Sequence, residues 1–373
     1  MDIRQRVIQQ GIANDTAWVG RLAADFRHPS RAECVGLFSL CVMPYIALFV
    51  HESYAKLAKT DPMIAAHVSA DFKEIVARSR HSLKLFEDTK RGIDGQLDYF
   101  RDEILATHTE HFTGNTPRLF RFLETDLGLF SYATRLISTT HAANFHLGLS
   151  PRDTLAMTGQ EMRAFSQQYG RYFGWLGAQI PAEGGGTFFS QIDPRQMGRI
   201  GDDVRSAEYY SRGFDGPGSQ DLNALLTVFR CMANFVNAVI PSPDANGKYD
   251  YTEFKIRFLT LYQVLGSLQI LRLDERYSLT PRSTRVLQEI LDTSAAQTIM
   301  DRSAKPFRNT LMHYNLDSRI DLSKVDLNDP VFGLAPVYFP SCKDLANLNE
   351  LVEQVLASTT EAMDEWARPG GST

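Results

Sequence analysis

The stretch from Cys34 to His51 contains no Asp, Glu, Lys or Arg in 18 consecutive residues. Such a segment is expected to be buried away from water, because burying apolar surface contributes about 25 cal/mol of favourable free energy for each Å². A membrane-spanning helix needs roughly 20 apolar residues, and Gly36, Ser39 and Pro44 weaken this segment further. We therefore expect a helix buried on all sides in the core of a soluble protein, with a membrane span as the less favoured alternative.

Apolar residues recur at helical spacing along most of the chain, with charged residues between them. No convincing run of alternating strand residues and no repeat interrupts the pattern. The pattern predicts helices over residues 67–112, 117–147, 151–179, 220–240, 251–274, 281–300, from about 305 and over about 343–367. The sequence therefore predicts an all-α fold, a multi-helix bundle.

A chain of 373 residues exceeds one ordinary core and suggests at least two domains. Residues 181–219 are rich in Gly and Pro, which is typical of a linker or a long loop. We predict a helical N-terminal domain over 1–180 with a sensor or regulatory role. A second helical domain is predicted over 220–368.

The composition is that of an ordinary globular protein, with 43% hydrophobic and 22% charged residues. The net charge of −5 excludes a generally basic surface, so any contact with nucleic acid has to be local. The four cysteines, Cys34, Cys41, Cys231 and Cys342, form no CxxC pair, which favours a reducing compartment. The polar N-terminus lacks the apolar core of a secretory signal, and we expect a cytoplasmic protein.

The stretch Arg308-Asn309-Thr310-Leu311-Met312-His313 carries the clearest chemical signal. Pro306 suits the first turn of a helix, where its missing N–H costs nothing, and the start of a helix favours an anion. Asn309 and His313 are four residues apart and share one face. Arg308 points about 100° away from Asn309, but its long side chain can reach the same pocket.

These residue types suffice to cut RNA without a metal. The 2′-hydroxyl attacks the neighbouring phosphorus and a base accepts its proton, which histidine can do near neutral pH. A guanidinium can hold two phosphate oxygens as charge builds on them. The need for a 2′-hydroxyl would confine the reaction to RNA.

The run from Phe307 to Tyr314 resembles the Arg-polar-x3-His motif of HEPN domains. The apolar helix that begins at Phe254 also resembles the long helix that packs against the motif helix in that family. The resemblance covers about residues 220–366, and its specificity lies in six positions. It implies an α-helical bundle that often forms a homodimer, with two motif helices facing one RNA-cutting cleft.

By the same resemblance Arg308 holds the phosphate, His313 handles the proton and Asn309 orients the pair. It implies a metal-independent endoribonuclease without a cofactor. Such proteins serve as toxins, antiviral defence effectors or RNA-processing enzymes, and some act with a regulatory or antitoxin protein. The alternative is a non-catalytic helical interaction or dimerisation module, in which Arg308 and His313 form a structural pair.

Two weaker patterns suggest a metal. Residues 242–253 resemble an EF-hand calcium loop, with Asp244, Asn246, Asp250 and Glu253 at ligand positions but Ser242 at the first. The alternative is a turn capped by Asp250 or Thr252 before the next helix.

Four histidines, His108, His111, His141 and His146, offer a transition-metal site or a small-molecule active site. The small-molecule alternative predicts a deep pocket in the N-terminal half. Single histidines near helix ends are more often structural, so neither site is the favoured interpretation.

Overall fold

The computed structural model describes residues 2–26, 32–60, 93–114, 124–147, 192–199, 203–216, 219–243 and 250–368, with isolated positions at 63, 66, 72 and 117 and between 160 and 175. The fold is mostly helical, as predicted. Numbered in chain order, the α-helices are α1 (Ile3–Phe26), α2 (Ala32–Thr60), α3 (Asp94–Tyr99), α4 (Ala106–Phe112), α5 (Thr140–Leu147), α6 (Ser206–Arg212), α7 (Gln220–Ala238), α8 (Tyr251–Leu273), α9 (Pro281–Leu291), α10 (Ser294–Met300), α11 (Lys305–His313), α12 (Ala335–Tyr338) and α13 (Leu345–Trp366). A π-helical turn, Phe100–Leu105, joins α3 to α4.

Helix α2 contains the charge-free stretch. Within the described part of the chain, Gly36–Lys59 is the one helical stretch that is long and apolar enough to cross a membrane, and 61% of its most apolar window is buried inside the protein. Phe38, Val42, Leu48 and Phe49 are fully buried. This burial is what a core helix of a soluble protein requires, and it agrees with the favoured prediction.

The predicted helix over 117–147 is wrong between residues 129 and 139. There the chain forms two antiparallel strands, β1 (Leu129–Tyr132) and β2 (Arg135–Thr139), and β1 also pairs with β3 (Met197–Arg199). Tyr132 pairs with Arg135 across a two-residue turn, Ala133-Thr134, whose φ angles of 46° and 67° are both left-handed. That turn lacks the usual Asn-Gly or Asp-Gly signature, which is why the sequence pattern did not reveal the hairpin.

The C-terminal helices begin and end close to their predicted bounds, because the residues that cap them are adjacent in the sequence to the helices they start. Asp250 accepts from the N–H groups of Thr252 and Glu253 at the start of α8, and Thr280 with Pro281 starts α9. The predicted helix over 281–300 is two helices, because Thr293 caps a second one at Ser294. Most of the predicted helix over 151–179, and residues 67–92 except Phe72, lie outside the described residues.

The N-terminal helices pack directly on the C-terminal ones. Helix α1 contacts α2 and α8, and α2 also contacts α11. The predicted linker 181–219 contains β3 and α6 among its described residues. The division into domains over 1–180 and 220–368 stays a prediction, and the candidate motif helix lies against α2 from the N-terminal part.

A buried ion pair joins these helices. Lys255 of α8 donates to Asp15 of α1 at 2.6 Å, and both side chains are at most 2% exposed. The other Asp15 oxygen accepts from Thr252 at 2.9 Å, and the Tyr314 hydroxyl donates to the oxygen that Lys255 also contacts, at 2.6 Å. The Lys255 ammonium also lies 4.3 Å from the ring centroid of Tyr314 and 4.7 Å from that of Phe49. Burial raises the pKa of Asp15 and lowers that of Lys255, and their mutual attraction opposes both shifts.

We expect Asp15→Leu to lower the free energy of unfolding by about 3–5 kcal/mol, because it leaves the Lys255 ammonium buried without its carboxylate. The double variant Asp15→Leu/Lys255→Met should recover much of that loss, since no unpaired charge remains. Urea unfolding of the single and double variants measures both values. A single variant as stable as the wild type would contradict the assigned role of the pair.

Thr134→Gly should stabilise the protein by about 1 kcal/mol, because a left-handed backbone is strained for a side chain with a β-carbon and costs glycine nothing. Thr284→Gly, an exposed threonine within α9, is the matched control and should lose stability instead. Thermal unfolding of the two variants compares the signs. A loss of stability in both would mean that the hairpin turn at Ala133-Thr134 is incorrect.

Candidate functional site

Helix α11 carries the three predicted site residues. A 3₁₀ turn over Arg302–Ala304, capped by Asp301, leads into it, and Pro306 occupies its first turn as predicted. Arg308 is the fourth residue of α11, at the end of the first turn. The helix ends at His313, and the next residue, Tyr314, has a left-handed φ of 55°.

Arg308 is only 6% exposed. Its Nη1 donates to the side-chain oxygen of Asn309 at 3.1 Å, and the guanidinium carbon lies 5.8 Å from the ring centroid of Tyr262 on α8. The long side chain therefore turns toward Asn309, the residue that shares a helical face with His313. A buried guanidinium beside an aromatic ring is also a common structural arrangement.

His313 pairs with an acidic residue that the sequence analysis did not single out. Its Nδ1 lies 3.0 Å from Oε2 of Glu52 on α2. The His313 side chain is 36% exposed, whereas that of Glu52 is 10% exposed. The pair thus joins an accessible imidazole to a buried carboxylate from a different part of the chain.

The ionisation state of Glu52 fixes the proton on His313. Burial by itself would raise the pKa of Glu52, but the hydrogen bond from His313 and the charges of His313, His51 and Lys56 lower it below its ordinary value. Glu52 is therefore ionised at neutral pH and can only accept a hydrogen bond. Nδ1 of His313 is therefore the donor of this hydrogen bond, which leaves Nε2 for another partner.

The residue after His313 anchors this arrangement. The hydroxyl of Tyr314 donates to Asp15, and its ring lies against Gly11, one turn before Asp15 on α1. A β-carbon at Gly11 would stand 2.7 Å from Cδ1 of Tyr314, so this close approach requires glycine. The buried Asp15–Lys255 pair therefore holds the C-terminal end of α11 in place behind His313.

The structure thus brings Arg308 to Asn309 and brings His313 to Glu52. Sequence analysis missed Glu52 because nothing in the chain links α2 to the motif more than 250 residues away. One signal was available: Glu52 is the first charged residue after the charge-free stretch that ends at His51. A carboxylate directly after a buried apolar stretch needs a partner, and His313 is that partner.

Two of the predicted metal-site histidines do meet, but in the core. The ring centroids of His108 and His141 lie 4.4 Å apart, and Nδ1 of His141 lies 3.0 Å from the hydroxyl of Tyr210. Burial, followed by the neighbouring His108, lowers the pKa of His141 to about 3, and burial lowers that of His146 to about 4. The His111 side chain lies outside the described ones, and the described residues contain no group of three metal-ligating side chains.

The small-molecule alternative predicted a deep pocket near these histidines. Neither of the two cavities found among the described residues is lined by them. One cavity, of about 270 Å³, is lined by the end of α7 with Tyr132, Ile192 and Arg257. Another, of about 310 Å³, is lined by α6 residues and Ala367. Neither contains His108, His141 or His146, which lie packed among aromatic rings instead.

The described part of the EF-hand-like segment agrees with the alternative interpretation, a turn capped by Asp250 before the next helix. Residues 244–249 lie outside the described residues, but Asp250 caps α8 and forms an ion pair with Arg21 at 2.5 Å. Burial, together with the charge of Asp250, raises the pKa of Glu253 to about 8, so that it is protonated at neutral pH. Asp250 thus already pairs with a cation of the protein itself, and the raised pKa of Glu253 disfavours the carboxylate form that would bind calcium.

Comparisons with protein-family models, with curated proteins and with solved structures found no match to this chain. The HEPN resemblance therefore rests on the sequence of this chain alone and stays a prediction.

Glu52→Gln should reduce the free energy of unfolding at pH 7 by about 1 kcal/mol, the usual net value of one hydrogen bond where solvent screens the partner. The folded pKa of Glu52 lies below its unfolded value near 4.5. Its contribution is therefore full above that value and is lost as the pH falls through the folded pKa.

Urea unfolding of Glu52→Gln and the wild type should consequently differ at pH 7 and converge once the pH falls below the folded pKa of Glu52. The exposed Glu350, changed to Gln, provides the matched control. Nitrogen NMR of His313 should also report the Nδ1–H tautomer in the wild type and a weaker preference for it in Glu52→Leu, which removes the acceptor. A deficit that persists unchanged at a pH where Glu52 is protonated would contradict the Glu52–His313 pair.

Proposed function

We propose that this chain is a metal-independent endoribonuclease of the HEPN type. The observation that carries the proposal is the His313–Glu52 pair, in which a buried carboxylate holds Nδ1 of a partly exposed histidine at 3.0 Å. A histidine whose Nδ1 is held by a carboxylate keeps Nε2 for a substrate, which is the arrangement that general-base catalysis uses. Asn309 shares the His313 face of α11 and bonds to Arg308.

In the proposed reaction, Nε2 of His313 removes the proton from the 2′-hydroxyl of a bound ribose. The 2′-oxygen forms a bond to the neighbouring phosphorus, and the bond from phosphorus to the 5′-oxygen breaks. The proton held by His313 passes to the departing 5′-oxygen or to water. The products are a 2′,3′-cyclic phosphate and a 5′-hydroxyl, and the step needs no oxidant, reductant or metal.

Arg308 stabilises the charge on the phosphate oxygens in this proposal, and Asn309 orients the reacting groups. A guanidinium fits two phosphate oxygens at once, and such an interaction is strongest in a partly dry site. Because Arg308 is bonded to Asn309 in the absence of RNA, it exchanges that bond for phosphate oxygens when the substrate binds.

The HEPN resemblance also suggests the setting. We propose a cytoplasmic protein that acts on RNA as a homodimer, as a toxin, an antiviral defence effector or an RNA-processing enzyme. A regulatory or antitoxin protein is a further expected partner, and no membrane is involved.

The burial of Arg308 favours a second candidate. At 6% exposure, with Asn309 and the Tyr262 ring beside it, Arg308 has the environment of a residue that holds helices together. In that case the chain is a non-catalytic interaction or dimerisation module, and the His313–Glu52 pair joins α11 to α2 for stability alone.

Cleavage of a labelled single-stranded RNA separates the two candidates. The ribonuclease proposal expects His313→Ala to reduce the rate by about 10²–10⁴ and Arg308→Ala by about 10²–10³. Wild-type cleavage should persist in EDTA and leave 2′,3′-cyclic phosphate ends. Asn315→Ala, two residues after His313, and Arg285→Ala on the exposed face of α9 are controls that should cleave at the wild-type rate.

Equal cleavage by the wild type, His313→Ala and Arg308→Ala would remove the ribonuclease proposal. The milder variants His313→Gln and Arg308→Lys, checked by thermal unfolding, guard against a loss of activity that merely reflects unfolding. Unfolding of these variants, together with a wild type that cuts no RNA, would favour the structural module.

A further inference from the structure

A cavity of about 310 Å³ lies against α6, and none of its lining residues belongs to α2, α8 or α11, which form the candidate ribonuclease site. Arg205, Glu208, Tyr209 and Arg212 line it. Because they are spaced three, four and seven residues from Arg205, their side chains share one face of α6. Small-molecule sites have volumes from about 300 Å³ upward, so the cavity is large enough for a small ligand.

The charged side chains that line this cavity are in cationic excess. Glu208 forms an ion pair with Arg212, one turn further along α6, so those two charges match. Arg205 is exposed, and within the described part of the chain its guanidinium has neither a hydrogen-bond nor an ion-pair partner. One positive charge at the cavity is therefore unmatched, although the net charge of the whole chain is −5.

A second cluster with the same excess adjoins the cavity through Tyr209. Arg230 of α7 donates to one oxygen of Asp364 on α13 at 2.6 Å, and Arg135 of β2 donates to the other at 3.1 Å. Two guanidiniums thus share a single carboxylate, which also accepts from Asn234 at 2.9 Å. Burial raises the pKa of Tyr209, and the charge of Arg230 opposes that shift. The positive charge of this cluster is consequently felt at a residue that lines the cavity.

The apolar part of the cavity wall is fixed by the packing of α6 on the end of α13. Val204, the Tyr209 ring and Ala367 line the cavity together with the arginines. A β-carbon at Gly213, which follows α6, would stand 3.3 Å from the carbonyl oxygen of Ala367, so the two backbones approach closely. The cavity therefore offers a small apolar surface beside its charged one.

The types of these groups indicate the chemistry of a ligand. All four cations in the two clusters are arginines, whose planar guanidinium can bind two oxygens of a phosphate at once. A phosphate monoester carries a charge of about −1.5 to −2 near neutral pH, which matches two unmatched positive charges better than a single carboxylate does. An aromatic or apolar body on the same ligand would contact the Tyr209 ring.

We propose that this cavity binds a small phosphate ester with an aromatic or apolar body. Arg205 contacts the phosphate and Tyr209 contacts the body, while Arg230 adds positive charge from behind Tyr209. Arg212 stays paired with Glu208 and forms part of the wall. The site is separate from α11, so it does not depend on the proposed ribonuclease activity.

Proton NMR titrations of the full chain with phenyl phosphate and with phenol test this proposal. Phenyl phosphate should bind, and phenol, which lacks the phosphate, should bind at least tenfold more weakly. Arg205→Gln should weaken phenyl phosphate binding by roughly tenfold, because it removes one charge-assisted contact. Arg205→Lys should lose less, since it keeps the charge. Arg205 is exposed and without a described partner, so these variants should keep the melting temperature of the wild type.

Arg285→Gln removes an exposed arginine on α9 and is the matched control, which should bind phenyl phosphate as the wild type does. Arg308→Lys is titrated as well, because a phosphate could also reach the candidate ribonuclease site. Three results would overturn the proposal: no binding of phenyl phosphate by the wild type, equal affinities of Arg205→Gln and Arg285→Gln, or equal affinities for phenol and phenyl phosphate. Binding that is lost in Arg308→Lys and unchanged in Arg205→Gln would assign the probe to α11 and would likewise exclude the cavity.

Discussion

The buried pair of Asp15 and Lys255 is the interaction on which the arrangement of this protein depends. It takes a carboxylate from α1 and an ammonium from α8, and it adds the hydroxyls of Thr252 and Tyr314. Each charge would be costly without the other, because burial drives both toward their neutral forms. The helices that contribute these groups therefore have to meet in one geometry, whereas apolar contacts alone tolerate sliding.

The candidate site follows from that geometry. Tyr314 is held by Asp15, and His313 precedes it at the end of α11, so the position of the imidazole depends on α1. Helix α2 packs against the same buried charge, since the ring of Phe49 lies next to the Lys255 ammonium. Glu52 follows Phe49 by three residues and so lies near the end of α11. The pairing of Glu52 with His313 is thus a consequence of how three distant segments pack around one buried charge.

The sequence predicted the helical class, the burial of α2 and the starts of the C-terminal helices, because these depend on local patterns. Pro306 and Thr280 act within one turn of their own position, and the charge-free run before Glu52 needs no knowledge of its neighbours. The hairpin at 129–139 could not be predicted in the same way. Its turn, Ala133-Thr134, has no turn-forming residues, and β1 gains its second partner from β3 about 65 residues later.

The sequence by itself determined which chemical groups are present at the candidate site: an arginine, an asparagine and a histidine on one short helix that a proline begins. Tertiary structure decided which of them are accessible and what they contact. It buried Arg308 against Tyr262, left His313 partly open to solvent and brought Glu52 beside it. The physical reason is range: helix propensity and capping act over a few residues, whereas burial and pairing of charges depend on segments that meet only when the chain folds.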